Sequence, residues 1–194
     1  TRFLFQELTA AGNKVGGAVE VVTGAIRPQI EKLDNGNMVA TWFDVVAGQH
    51  KGRLLDSDGD LTGGVFAVST NGQQPYSSGT LEALANGFAY AWTDTATGLW
   101  MGQLFSLTGK AKSNPFLLTD TVGNYATATG GIERSGTGFL SYVMGVKNGT
   151  YTATLEGQIF SSASSMGVVK NGTSASERIN GGTKDDRINL NGGN

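Results

Sequence analysis

The strongest constraint on the fold is an internal repeat of about 50 residues, a period typical of repeat architectures. One repeated element, in which a Gly-containing turn leads into alternating apolar residues and a closing aromatic, occupies residues 33–42, 84–92 and, more loosely, 135–142. A second element, in which a pair of apolar residues follows shortly after a Gly, occupies 52–56, 102–106 and 157–161, and an earlier copy without the Gly lies at 3–6. The second element thus begins one copy earlier than the first.

Each repeat predicts four short β-strands. Asn35-Gly36 and Asn86-Gly87 lie between alternating apolar residues, which is a strong signal for a tight hairpin and accounts for two strands. The second element supplies a third strand, and the apolar stretch around residue 66 or 116, beyond a Gly-rich turn, supplies a fourth. Because no stretch as long as a typical helix has a helical period, we expect almost no helix.

Repeated four-stranded units predict an all-β fold of β-propeller-like blades, in which each blade is an antiparallel sheet. The alternative is a closed, β-trefoil-like barrel built from three such units. Residues 1–175 form this predicted domain, about three and a half units long by the repeat period. Residues 2–24 supply only the last two strands of a unit. We expect a segment upstream of Thr1, or another chain, to complete this first blade.

Composition excludes several classes of function. The chain has 14 basic and 16 acidic residues, so its charge gives no reason to expect nucleic acid as a partner. It has no cysteine, which excludes disulfides and thiolate chemistry. No apolar run approaches the roughly 18 residues that cross a bilayer as a helix, and we expect no membrane insertion.

The C-terminal segment, residues 176–194, has a different pattern. Gly181, Gly182, Asp186 and Ile188 follow the order of a nonapeptide in which a Gly-rich turn wraps calcium and an aliphatic residue packs inside a parallel β-roll. Lys184 departs from this pattern, because it stands where a fourth-position glycine belongs.

This segment resembles the repeats-in-toxin, or haemolysin-type, calcium-binding repeat. The upstream units look like the tandem repeats that precede such segments in large secreted bacterial proteins. The resemblance implies calcium as cofactor, with Gly181, Gly182 and Asp186 at the metal site, the start of a parallel β-roll, and export to the extracellular space without an N-terminal signal.

Two other positions are candidates for chemistry. Asp56, Asp58 and Asp60 surround a Gly turn and could present hard oxygen ligands to calcium. The alternative is an ordinary strand-linking turn, because the equivalent turn at 108–110 does not repeat the carboxylates. His50 is the only histidine, so a catalytic relay has one possible centre and a site with several histidines has none.

The repeated aromatics are candidates either for the core or for sugar stacking. An aromatic at a fixed place in each repeat favours the core for Trp42, Trp92 and Tyr142. Trp100 lies outside that place and is our candidate surface residue for ligand binding.

We therefore expect a non-catalytic, extracellular, calcium-associated binding or adhesion module of a secreted bacterial protein, with glycans or another cell-surface ligand as partners. One alternative is an ancillary or processed fragment of a secreted hydrolase, such as a protease or phosphatase. Another is a structural repeat domain that self-associates.

Overall fold

The computed structural model describes residues 1–70, 73, 79–118, 129–135, 138–146, 153–160, 166–171 and 185–189; beyond residue 142 the description is of strands and their pairing. The described chain is all-β, as predicted, and contains several antiparallel sheets. None of the described sheets closes into a barrel, so the barrel alternative finds no support in this part of the chain.

Four sheets follow one another along the chain. The first is a hairpin of β1 (Arg2–Leu8) and β2 (Lys14–Thr23). The second is an antiparallel meander of β3 (Ala25–Lys32), β4 (Met38–Asp44), β5 (Gln49–Leu55) and β6 (Leu61–Ala67). The third repeats this order with β7 (Gly79–Leu84), β8 (Gly87–Asp94), β9 (Leu99–Phe105) and β10 (Phe116–Leu117).

The fourth sheet departs from this order at its outer edge. It contains β11 (Thr129–Ser135), β12 (Gly138–Val146), β13 (Ala153–Phe160), β14 (Met166–Asn171) and β15 (Asp185–Asn189). β15 lies between β13 and β14, antiparallel to the former and parallel to the latter. The predicted β-roll segment, residues 176–194, thus contributes a strand to the last sheet of the repeat-built region.

Glycines fix the two hairpins that the sequence predicts. Gly36 has φ +89° and Gly87 has φ +151°, conformations that L side chains rarely adopt. A Cβ on Gly87 would also lie 1.8 Å from the carbonyl oxygen of Phe105, so no side chain fits at this turn. The Asn-Gly pairs therefore determine where β3 turns into β4 and β7 into β8.

The described residues form three hydrophobic core clusters, each between two successive sheets. Between the first and second sheets lie Val21, Ala25, Ala40, Trp42 and Leu55. Between the second and third lie Leu33, Val39, Val68, Leu81, Ala83, Phe88, Tyr90, Trp92 and Phe105. Between the third and fourth lie Leu84, Ala89, Ala91, Trp100, Leu118, Ile132 and Phe139.

The two inner sheets are covered on both faces. In β8 the alternate residues Phe88, Tyr90 and Trp92 pack toward the second sheet, whereas Ala89 and Ala91 pack toward the fourth. The first strands of neighbouring sheets also contact each other, β3 with β7 and β7 with β11. The exposed parts of these sheets are therefore chiefly the turns at their two ends and their outer strands.

Candidate functional site

Two of the three repeated aromatic residues lie in the core, and the third, Tyr142, is partly exposed. Trp42 is 1% exposed and Trp92 is fully buried, which confirms the core interpretation for both. Trp100 is 1% exposed as well, so the prediction of a surface residue at this position is wrong. The Trp100 indole Nε1–H donates to Ser141 Oγ at 3.2 Å, and the ring packs beneath the fourth sheet. Stacking of a sugar on this ring would require the third and fourth sheets to separate.

The Asp56 turn has a structural role that its geometry explains. Asp56 Oδ1 accepts hydrogen bonds from the backbone N–H groups of Asp58, at 3.0 Å, and Asp60, at 2.9 Å. Gly59 completes the turn with φ +87° and donates its own N–H to the Asp56 carbonyl. The Asp56 side chain therefore holds the turn between β5 and β6 in place.

The equivalent turn of the third sheet has the same pattern with different chemistry. Ser106 Oγ accepts from the backbone N–H groups of Thr108 and Lys110, and Gly109 has φ +75°. The Ser106 hydroxyl thus accepts the same two backbone hydrogen bonds in this turn that the Asp56 carboxylate accepts in the other. This equivalence favours the strand-linking alternative for Asp56, while Asp58 and Asp60 carry exposed carboxylates at the surface.

The turns at the opposite end of these sheets are also matched. Asp44 Oδ1 accepts from the backbone N–H groups of Val46, at 3.0 Å, and Ala47, at 2.9 Å. The Asp94 carboxylate accepts from the corresponding N–H groups of Ala96 and Thr97.

The carboxylates of both turns are held in the ionised form. The ammonium of Lys51, which donates to Asp44 Oδ2 at 2.7 Å, holds the pKa of Asp44 below its usual value, assisted by the backbone N–H groups. Burial opposes ionisation of Asp94, but hydrogen bonds from Thr97 and Gln73 outweigh it and lower its pKa. Each turn is thus fixed by a charged cap at neutral pH.

The tips of these two turns differ in character although their backbones agree. Val46 is 100% exposed and Val45 is 50% exposed, so one tip is apolar. At the other tip Ala96 and Thr97 are exposed, and the Thr97 hydroxyl donates to Asp94 Oδ2.

His50 lies inside the molecule rather than in a surface site. It is 1% exposed, its Nδ1 lies 2.7 Å from the hydroxyl of Tyr90, and its backbone N–H donates to Ser69 Oγ at 2.9 Å. Its Nε2 has no hydrogen-bond partner among the described residues, and the ring of Phe43 packs edge-on against the imidazole. The arrangement links the second sheet to the third through a buried polar contact.

Burial sets the charge state of this pair. Desolvation lowers the pKa of His50 to about 4, with a further contribution from the positive charge of Arg27, and desolvation raises the pKa of Tyr90. Both groups are therefore neutral at pH 7. Arg27 lies in a bulge of β3 and has φ +53°, the only positive value at a non-glycine residue among those described.

A row of carboxylates on the first strands was not singled out by the sequence analysis. Glu31, Glu82 and Glu133 occupy β3, β7 and β11. Burial raises the pKa of Glu31 and of Glu82, and the negative charge of Glu133 adds to both effects. The signal in the sequence is their regular interval, which follows the period of the repeat.

The cation beside this row is already paired. Arg134 donates its backbone N–H to Glu82 Oε1 at 3.0 Å. Its guanidinium binds both carboxylate oxygens of Asp34, at 2.8 and 3.0 Å. This contact connects the fourth sheet to the β3–β4 turn of the second.

The predicted calcium ligands are not brought together in the described part of the chain. Gly181 and Gly182 lie outside the described residues, and Asp186 lies in β15. Among the residues that are described, no group of three or more His, Asp or Glu side chains could hold a metal ion. Calcium binding stays a prediction.

Comparison with known proteins adds no family. The described residues include no helix long and apolar enough to cross a membrane. A scan against protein-family models and a search of the curated proteins each found no match to this chain.

Proposed function

We propose that the chain is a non-catalytic binding or adhesion module, built from propeller-like blades, that presents ligand-binding turns on a fixed framework. The blade arrangement is supported by the contacts between the first strands of neighbouring sheets and by the core between each pair of sheets. Because these sheets pack face to face, the side chains that differ between related sheets reach solvent mainly at the turns.

The observation that carries the function is the matched pair of Asp-capped turns. The same cap holds Val45 and Val46 at one tip and Thr95 and Ala96 at the equivalent positions of the other. A turn backbone that recurs within the chain while its side chains differ is typical of rigid scaffolds that display binding groups on loops. Repetition of such turns along the sheets would allow several weak contacts to act together.

The proposed ligands are glycans of a cell surface, and the proposed setting is the extracellular space around a secreted bacterial protein. The exposed carboxylates of Asp58 and Asp60 provide acceptors that sugar hydroxyls require, whereas the Thr97 hydroxyl already donates to Asp94 Oδ2. A role for calcium rests on the resemblance of residues 176–194 to a calcium-binding repeat.

A glycan-array screen of the folded chain tests this proposal directly. The screen is run in millimolar calcium and again in chelator, with circular dichroism showing that both samples are folded. Saturable binding to a narrow set of sugars would support the proposal, and its loss in chelator would support the role of calcium. A blank array with folded protein would contradict glycan binding.

Turn variants locate the site once a sugar is found. We expect the pair Asp58→Asn and Asp60→Asn to weaken binding about tenfold, because it removes negative charge from an exposed turn. Val65→Ser is the control, since Val65 is 47% exposed in β6 and its apolar side chain cannot cap a turn. Equal affinity of all the variants would remove the turns from the site.

A further inference from the structure

Gln73 connects the two Asp-capped turns that carry the proposed function. It lies in the connection between β6 and β7 and is only 3% exposed. Its backbone N–H donates to the carbonyl oxygen of Gly48, in the turn between β4 and β5, at 2.7 Å. Its side chain reaches the turn between β8 and β9 in the third sheet. One residue therefore contacts both turns.

The side chain of Gln73 uses both ends of its amide. Its Nε2 donates to Asp94 Oδ1 at 2.8 Å, and its Oε1 accepts the backbone N–H of Thr95 at 3.0 Å. Nε2 also donates to Thr70 Oγ1 at 3.0 Å, within the same connection. An amide satisfies these groups because it carries two donor protons and an acceptor, whereas a carboxylate has no donor and a hydrocarbon has neither. The β8–β9 turn therefore depends on the chemistry of this side chain and not only on its size.

The two turns lie at the same end of neighbouring sheets. Residues 44–48 and 94–98 are equivalent by the repeat period, and the second and third sheets pack face to face over a shared core. Packed sheets lie about 10 Å apart, which is wider than a single sugar ring. A ligand that contacts Val46 and Ala96 together must therefore be longer than one sugar, whereas a single sugar contacts one turn.

We propose that Gln73 is a positioning residue that joins these two turns into a single binding surface, and that this surface takes an oligosaccharide rather than a single sugar. The inference rests on the proposed function, since it names the size of the ligand that the same turns would bind. A fixed spacing favours a bridging ligand, because the two contact sites do not have to be ordered on binding. The exposed carboxylates of Asp58 and Asp60 lie at the opposite end of the sheets and belong to a separate surface.

The first measurement needs no sugar. The chain has no cysteine, so Val46→Cys with Ala96→Cys places one spin label on each turn. Electron paramagnetic resonance then reports the spacing of the labels and how widely it varies. We expect Gln73→Met to broaden this distribution, because methionine keeps the length of the side chain without the amide. Gln49→Met is the matched control, since the Gln49 amide donates to the carbonyl oxygen of Ser69 at 2.7 Å and so anchors the same connection to the second sheet.

A second variant separates the chemistry of the amide from its packing. Gln73→Glu keeps an acceptor for Thr95 but, when ionised, places a negative charge beside the Asp94 carboxylate. Burial and the charge of Asp94 both raise the pKa of the introduced carboxyl. The label distribution should therefore be broad at about pH 7 and narrow again at about pH 5, where the protonated group can donate to Asp94. Gln73→Met should show no such recovery, and Gln73→Glu carries the test if Gln73→Met does not fold.

Binding then tests the size of the ligand. The probes are the oligosaccharides that the glycan array retains, each compared by calorimetric titration with its own terminal monosaccharide. In the native chain the oligosaccharide should bind at least about tenfold more tightly. Gln73→Met should remove this advantage while it changes the affinity for the monosaccharide less than about twofold. Gln49→Met should leave both affinities unchanged.

Three results would overturn the proposal. They are a label distribution that Gln73→Met leaves unchanged, an equal broadening in Gln49→Met, or a monosaccharide that binds as tightly as its oligosaccharide. Affinity that depends on Asp58 and Asp60 but not on Gln73 would support the proposed function and would also overturn this inference. A blank array would contradict the proposed function and, with it, the ligand named here, whatever the labels show.

Discussion

Acidification should weaken the contact between the second and third sheets through a single residue. His50 is buried among Tyr90, Phe43 and Ser69, and no described acceptor is positioned for a second ring N–H. Protonation would place a positive charge there, with the charge of Arg27 nearby opposing it. The folded state therefore favours the neutral imidazole over the charged one.

The size of the effect follows from the two pKa values. The ordinary pKa of 6.5 applies to the unfolded chain, and the folded value is about 4. Because the unfolded state binds the proton first, stability is fully present above pH 6.5 and falls as the pH drops toward 4. The full difference corresponds to about 3 kcal/mol, of which about 2 kcal/mol should be lost between pH 7 and pH 4.5.

The assay compares urea unfolding of the native chain and His50→Gln over this pH range. Other carboxylates titrate in both proteins, so the difference between the two pH profiles isolates the imidazole. We expect the native profile to fall more steeply by about 2 kcal/mol, whatever the absolute stability of the variant.

Direct observation of the ring provides the second measurement. The chain has one histidine, so the imidazole signals in a nuclear magnetic resonance titration belong to His50. A midpoint near 4 is expected. Parallel unfolding profiles, or a midpoint above 6, would refute the reasoning, because either would mean that the folded state tolerates the charge at about its ordinary cost.

Three further predictions concern the framework. Gly109→Ala should reduce the free energy of unfolding by about 2 kcal/mol or more, since its Cβ would lie 2.6 Å from the ring of Phe66 at φ +75°. Gly63→Ala, which has open space around it, should reduce the free energy of unfolding by only about 1 kcal/mol. Urea unfolding measures both changes. Trp100→Ala should cost about 3–5 kcal/mol and lower the melting temperature, and a near-neutral result would contradict its core position. Arg134→Ala should have a small effect that disappears in molar salt, because the ion pair it removes is exposed on both sides.

The sequence predicts the sheets well because their signals are local. Asn35-Gly36 and Asn86-Gly87 lie at turns that only glycine can complete, and the alternating residues after them form β4 and β8. The spacing of the repeat then transfers the interpretation from one unit to the next. All of this information is present within short windows of the chain.

Contacts between sheets are not predictable in the same way. Trp100 breaks no local rule and was assigned to the surface because it stands outside the repeated aromatic position. Its burial is decided by Ile132 and Phe139, which arrive from the fourth sheet. The proximity of Asp34 to Arg134 is likewise a result of packing, although the regular interval of the glutamates offered a signal for that region.

The proposed function has a physical basis in the way this fold uses its apolar residues. A sheet with a neighbour on each face must bury both sets of alternating side chains, and the second and third sheets do so with nearly every residue of β4 and β8. Variation that preserves the core is thus confined to capped turns and to edges. The turns hold side chains such as Val46 and Thr97 at fixed positions, which suits recognition of a ligand.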